Sequence, residues 1–160
     1  MDRIPQKIAR KTNKIYEGVK PVKFGERKPN FLTMGRSIKN TMKDFREVVI
    51  VEACRTPYGR AGGKLKEYTA MELGAMAIQE VLRRVGGKVK SEDVDYIIMG
   101  QVVTAGCGQV PGRQASILAG VPEHVPTITV NKVCSSGIKT VDLAVQMIQL
   151  CRAEICIAGG

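Results

Sequence analysis

The sequence predicts an α/β protein built on a mostly parallel sheet. Three observations carry that reading. Short β-branched runs alternate with stretches of helical period, and strand–helix units repeated in that order favour parallel strands joined by crossovers. The first two helical stretches open on a capping box or a proline and close on glycine. The composition, 44% hydrophobic and 25% charged over 160 residues, suits one globular domain plus a tail.

Residues 1–46 scatter Pro5, Pro21, Gly25, Pro29 and Gly35 among basic side chains without a sustained apolar period, so they read as a mostly irregular extension with short helical turns near 36–45. The pattern changes at Glu47. Val48-Val49-Ile50-Val51 predicts a strand buried on both faces. A loop over 54–68, rich in Gly, Arg and Lys, leads to Thr69-Ala70-Met71-Glu72, a capping box that satisfies the free amides of a helix start. Leu73, Ala77, Val81 and Val85 form the apolar stripe of that helix, and Gly86-Gly87 ends it. Val94–Met99 is a second strand. Pro111 opens a helix that runs to Gly120, and Thr127–Val130 is a third strand. The helix from about Ser135 to Cys151 is apolar on both sides and predicted to be buried nearly all round; Ile155–Ala158 is a fourth strand. A chain that stops directly after a buried strand is expected to continue in the natural protein.

The net charge of +10 would suggest a nucleic-acid partner if it were spread over the fold. Instead residues 1–46 carry 13 Lys or Arg against 4 Asp or Glu, and residues 47–160 carry 12 against 11. The basicity belongs to the extension, so counterion release could act only through that arm. With 4% aromatics and no Trp there is no stacking platform for single strands. No apolar stretch approaches the ~18 residues that span a bilayer, and the first residues lack a secretory apolar core. The extension has more Lys than Arg and an acidic Asp2, which favours a cytoplasmic protein over one sent to the mitochondrial matrix.

Cysteines at 54, 107, 134, 151 and 156 are odd in number and irregular in spacing, which argues against a disulfide framework. Metal ligation needs closely paired Cys or His, and His124 is the single histidine, so no metal site is expected. Two glycine-rich stretches imitate nucleotide loops. Gly59–Leu65 has Leu65 where a phosphate loop needs Ser or Thr, and Gly106–Gly112 misplaces its third glycine and lacks the acidic residue further on.

Cys134 stands apart. It follows the third strand at a turn into a helix, in Val130-Asn131-Lys132-Val133-Cys134-Ser135-Ser136-Gly137. The unpaired amides and positive dipole of a helix start favour a thiolate, the reactive form of a thiol whose ordinary pKa is roughly 8.5. The backbone amides of Cys134, Ser135, Ser136 and Gly137 are candidates to donate to the oxyanion formed when that thiolate attacks a carbonyl. The small Ser135, Ser136 and Gly137 would leave a path to the sulfur. Spacing alone leaves a second reading open, since a cysteine is often simply a small core residue.

From about Glu47 to Gly160 the chain resembles the amino-terminal half of the thiolases. The resemblance rests on Val48–Pro57, Met99-Gly100-Gln101-Val102, Gly106-Cys107-Gly108-Gln109, Gly112-Arg113-Gln114-Ala115, Thr129–Gly137 and Ala158-Gly159-Gly160. The Asn-Lys-Val-Cys form is more similar to the acetoacetyl-CoA branch than to the long-chain degradative branch. The resemblance implies a thiolase-like amino-terminal α/β domain, incomplete over 47–160, with Cys134 as acyl-accepting nucleophile. It implies acetyl-CoA and CoA as substrates, no bound cofactor or metal, and a homodimer or homotetramer. The activity implied is condensation of two acetyl-CoA to acetoacetyl-CoA, or the reverse thiolysis, within fatty acid metabolism. The family's catalytic histidine and second cysteine fall beyond Gly160, so the chain alone is expected to be inactive and His124 takes no role. A 3-oxoacyl-CoA thiolase of broader chain length and a related condensing enzyme of the same fold are the enzymatic alternatives. The non-enzymatic one is an inactive module whose basic tail binds an acidic partner.

Overall fold

A computed structural model describes residues 45–160. The chain divides into two compact units, Met1–Val51 and Glu52–Gly160. Of the first unit only residues 45–51 are described, and they form neither helix nor strand. The helical turns expected near 36–45 lie almost wholly outside the described residues. The strand expected at Val48–Val51 is not formed, and Ile50 is 46% exposed. Its β-branched residues favour a pleated backbone only where a neighbouring strand supplies hydrogen bonds and packing, and the sheet described below does not include it.

The second unit is built on three parallel strands in the order β2-β1-β3, with β1 spanning Tyr96–Gly100, β2 Thr127–Val130 and β3 Cys156–Gly159. Helix α1 covers Ala70–Arg84, α2 Pro111–Leu118 and α3 Ser136–Gln149. The chain leaves β1 through α2 to reach β2, then returns through α3 past β1 to β3. Right-handed crossovers in opposite directions must lie on opposite faces of the sheet. The side chains of β1 agree. Met99 faces α1 and α2, where a Cβ on Gly112 would stand 2.8 Å from its own Cβ. Ile98, one residue earlier, shares a groove with Leu143 and Met147 of α3. Strand β1 is therefore central and covered twice: Ile97 is 0% and Ile98 1% exposed.

Helix α1 starts as its sequence requires. The Thr69 side chain accepts from the Glu72 amide, and the Glu72 carboxylate accepts from the Thr69 amide at 2.7 Å. Its buried centre is Ala75 and Ile78 rather than the stripe Leu73, Ala77, Val81 and Val85, all of which are half-buried. The rotation follows from Gly74: a Cβ there would stand 3.1 Å from the Cβ of Ala115, so its absence lets α2 close on that side of the helix. Pro111 occupies the first turn of α2, and the chain leaves it through Gly120 at φ +82°.

Helix α3 buries one face, Ser136, Thr140 and Ala144, while Ile138 remains 79% exposed. The expectation of burial nearly all round is met on that face only. The helix also ends at Gln149 rather than Cys151, and Cys151 is exposed at φ +57°. It is the left-handed residue of a Schellman cap, its amide donating to the Ile148 carbonyl and that of Arg152 to the Met147 carbonyl. Asp95 fixes the entry to β3 by accepting from the Glu154 and Ile155 amides at 2.7 and 3.0 Å. Among the described residues no helix is long and apolar enough to cross a membrane.

Candidate active site

All three strands point the same way, so the segments that follow them gather at one rim of the sheet, where open α/β folds carry their sites. The turn 131–135 leaves β2 at this rim and delivers α3 back across it. Glycines make the return close. A Cβ on Gly100, the last residue of β1, would stand 2.9 Å from the Cβ of Ser136 and 3.2 Å from the Gly137 amide nitrogen. One on Gly137 would stand 2.6 Å from the Gly160 carbonyl oxygen. The first turn of α3 thus rests directly on the carboxyl ends of β1 and β3.

Cys134 lies on this turn, one residue before the helix cap Ser135, and is exposed. The turn is tightly wired. Val133 has φ +49°, the left-handed region, and strain of this kind at a β-branched residue costs on the order of 1–3 kcal/mol. Its amide donates to Asn131 Oδ1 at 2.9 Å and its carbonyl accepts from Ser136 Oγ at 2.7 Å. The same Ser136 oxygen accepts from the Lys132 amide at 2.8 Å. Asn131 Nδ2 reaches back to the Val102 carbonyl at 3.0 Å, tying the turn to the loop after β1. That loop is held in place by Gln114, whose Nε2 donates to the carbonyls of Cys107 and Gln109.

The four residues proposed from sequence to present amides are thus brought together, but their amides are not equivalent. Those of Ser135 and Ser136 donate inside the turn, to the carbonyls of Lys132 and Val133 at 3.2 and 3.1 Å. No hydrogen bond among the described residues takes up the amide of Cys134 or Gly137. Ser136 is 4% exposed, so it clears no path to the sulfur and acts instead as an internal staple. Sequence reasoning missed that staple and the Asn131 bracket. An Asn two residues before the strained position is the sign that could have shown the latter, since Asn side chains accept from the amide two residues on.

His124 is exposed in the loop that enters β2, whereas Cys134 follows the exit from it. The four-residue strand between them spans roughly 13 Å, so the two do not share a site. Cys107 is half-buried in the loop after β1 and Cys54 donates to the Ala77 carbonyl at 3.2 Å. Burial, with a smaller contribution from the Asp95 charge, pushes the Cys156 thiol up to about 11. Among the described residues no group of three or more His, Cys, Asp or Glu could hold a metal. A groove of about 210 Å³ lined by Tyr96, Ile98, Ile128, Leu143, Met147 and Leu150 lies toward the start of β1 and the end of α3, away from the thiol.

A three-stranded parallel sheet wound in both directions, with an exposed thiol on a strained turn at its carboxyl rim, defines an open α/β protein with its candidate site at the strand ends. The family description "Thiolase, N-terminal domain" matches residues 48–160, and the chain belongs to the thiolase family. It is 54% identical over 114 residues to the acetyl-CoA acetyltransferase of Cupriavidus necator, a match covering 71% of this chain and 28% of that protein. The acetyl-CoA acetyltransferase of Syntrophomonas wolfei is 48% identical over 115 residues, covering 72% of this chain and 28% of its own length. A probable acetyl-CoA acetyltransferase of Escherichia coli is 48% identical over 116 residues, covering 72% and 29%. The chain therefore spans under a third of the length of these curated relatives.

Proposed function

We propose that residues 47–160 supply the nucleophile-bearing portion of an acetyl-CoA acetyltransferase, with residues 1–46 a basic extension outside the catalytic fold. The observation that carries this reading is an exposed Cys134 held at the rim where the strands end, in a chain whose relatives bear that enzyme's name. The Cys134 thiolate adds to the carbonyl carbon of acetyl-CoA. The electron pair that moves onto the carbonyl oxygen is met by the amide of Cys134, which no bond within the turn takes up. Collapse expels the CoA thiolate and leaves an acetyl thioester on Cys134. Exchange between two thioesters is nearly balanced in energy, which is why a thiol suits the task.

In the second half-reaction a further acetyl-CoA loses a proton from its methyl carbon, and the carbanion attacks the Cys134 thioester. A carbon–carbon bond forms, the carbon–sulfur bond to Cys134 breaks, and acetoacetyl-CoA departs. Thiolysis is the same sequence reversed. His124 stands at the wrong end of β2 to take that proton, so the 160-residue chain should complete the first half-reaction at most. CoA and acetyl-CoA are substrates, and no resident metal or organic cofactor enters. The assembled enzyme is a homodimer or homotetramer, in the cytoplasm, where its five free cysteines stay reduced.

The test is the intact mass of the chain after incubation with acetyl-CoA. One acetyl group should be gained, mapped to Cys134, and lost in Cys134→Ser. Acetylation that persists in the serine variant, or maps elsewhere, refutes the assignment.

A further inference from the structure

Resting on that reading, we propose that Asn131 and Ser136 are a pair of positioning residues that hold the Cys134 turn in its reactive form through their side chains. Each brackets the strained Val133 from one side. Asn131 Oδ1 takes the Val133 amide at 2.9 Å, and Ser136 Oγ donates to the Val133 carbonyl at 2.7 Å. With φ +49°, Val133 would relax to a right-handed or extended backbone if released. Either relaxation swings the next residue, Cys134, away from the start of α3.

The bracket also decides which amides remain for chemistry. Four amides lie within reach of competition for the few acceptors of this turn. Ser136 Oγ occupies that of Lys132 at 2.8 Å and Asn131 Oδ1 that of Val133. The amides of Ser135 and Ser136 turn inward to the Lys132 and Val133 carbonyls. Of the two amides left without an internal acceptor, that of Gly137 lies against the end of β1, 3.2 Å from where a Gly100 Cβ would stand, and that of Cys134 belongs to the exposed residue. Remove either side chain and the internal donors must find new acceptors, so the Cys134 amide is no longer fixed.

The two residues are anchored differently, which makes the pair testable. Ser136 is 4% exposed and packs against Gly100, where a Cβ would stand 2.9 Å from its own. Asn131 is exposed and its second bond goes to the Val102 carbonyl, so replacing it leaves the core untouched.

The rate of iodoacetamide labelling of Cys134, followed by peptide mass, and acetyl transfer from acetyl-CoA are measured on the 160-residue chain. The variants are Asn131→Ala, Ser136→Ala and Asn131→Ser. In both alanine variants labelling should slow by about threefold or more, because the sulfur is no longer held against the helix start. Acetylation should slow by about 5–10-fold with half-saturation by acetyl-CoA changed less than about twofold, as for an interaction made at the reacting atoms. Asn131→Ser retains an oxygen that can accept from the amide two residues on, and should recover part of the loss. Should Ser136→Ala fail to fold, the exposed Asn131 variants decide alone. A labelling rate in Asn131→Ala equal to that of the unaltered chain overturns the proposal, whatever the acetylation result. Labelling that slows as expected in a chain that acetyl-CoA does not acetylate leaves the positioning role standing and removes the acyl-transfer reading.

Discussion

Adding one methyl group to β1 should slow Cys134 far more than it destabilises the fold. In Gly100→Ala the new Cβ would stand 2.9 Å from Ser136 Cβ and 3.1 Å from the Ser136 carbonyl carbon, against an ordinary contact of 3.4 Å or more. The first turn of α3 must retreat by about 0.5 Å, the difference between 3.4 and 2.9. Overpacking of this kind costs about 1–3 kcal/mol, and removing a strand glycine returns about 0.5–1 kcal/mol. A net loss near 1 kcal/mol lowers Tm by about 4–8 °C in a unit of this size. A misplacement of ~1 Å can cost on the order of 10²-fold in rate, so half that distance corresponds to about tenfold. The assay is the rate of Cys134 acetylation by intact mass, beside a thermal melt. Gly112→Ala is the matched control, since its Cβ would stand 2.8 Å from Met99 Cβ and 3.0 Å from Thr129 Oγ1, on the opposite face of β1. It should melt comparably and leave acetylation within about twofold, because it does not touch the turn that sets the reacting geometry. Equal slowing in the two variants, or none in Gly100→Ala, would refute the claim that packing on β1 sets the sulfur's position.

Two titrations follow. Arg83, donating two hydrogen bonds to Glu80, and Arg84, donating one, hold its carboxyl down to about 2. A depressed carboxyl stabilises the fold fully above its unfolded value near 4.5 and ceases to do so as pH falls through about 2, so Glu80→Gln should flatten the acid limb of stability only in that window. NMR detection of a Glu80 midpoint near the ordinary carboxyl value would contradict the ion pairs. The Cys156 thiol, pushed up to about 11, behaves in the opposite sense: its contribution is complete below the unfolded value near 9 and disappears as pH climbs through 11. At pH 8 iodoacetamide should therefore label Cys134 well before Cys156, and comparable labelling of the two would count against the burial of Cys156.

Local chemistry was legible in the sequence and non-local partnership was not. The Thr69–Glu72 box needs only residues within one turn of each other, and the structure contains it. The passage from strand to turn to helix around Cys134 was likewise visible, because Val130 and the apolar period after Ser135 bracket it. Val48–Val51 misled because a β-branched run states a preference, and a strand exists only with a ladder beside it. The buried centre of α1 shifted because Gly74 admits Ala115, a contact between residues 41 positions apart that no periodicity encodes. The Asn131 and Ser136 bonds depend on the left-handed backbone of Val133, which nothing about a valine announces.

The polarity of the sheet has an architectural consequence. Because the three described strands run in the same sense, a parallel strand–crossover unit placed at either edge would open its connecting loop toward the side on which Cys134 stands. Such loops can be lengthened, exchanged or recoloured in charge without disturbing the register of Ile97 and Ile98. The loops at the periphery can thus change while the sulfur stays anchored by the centre.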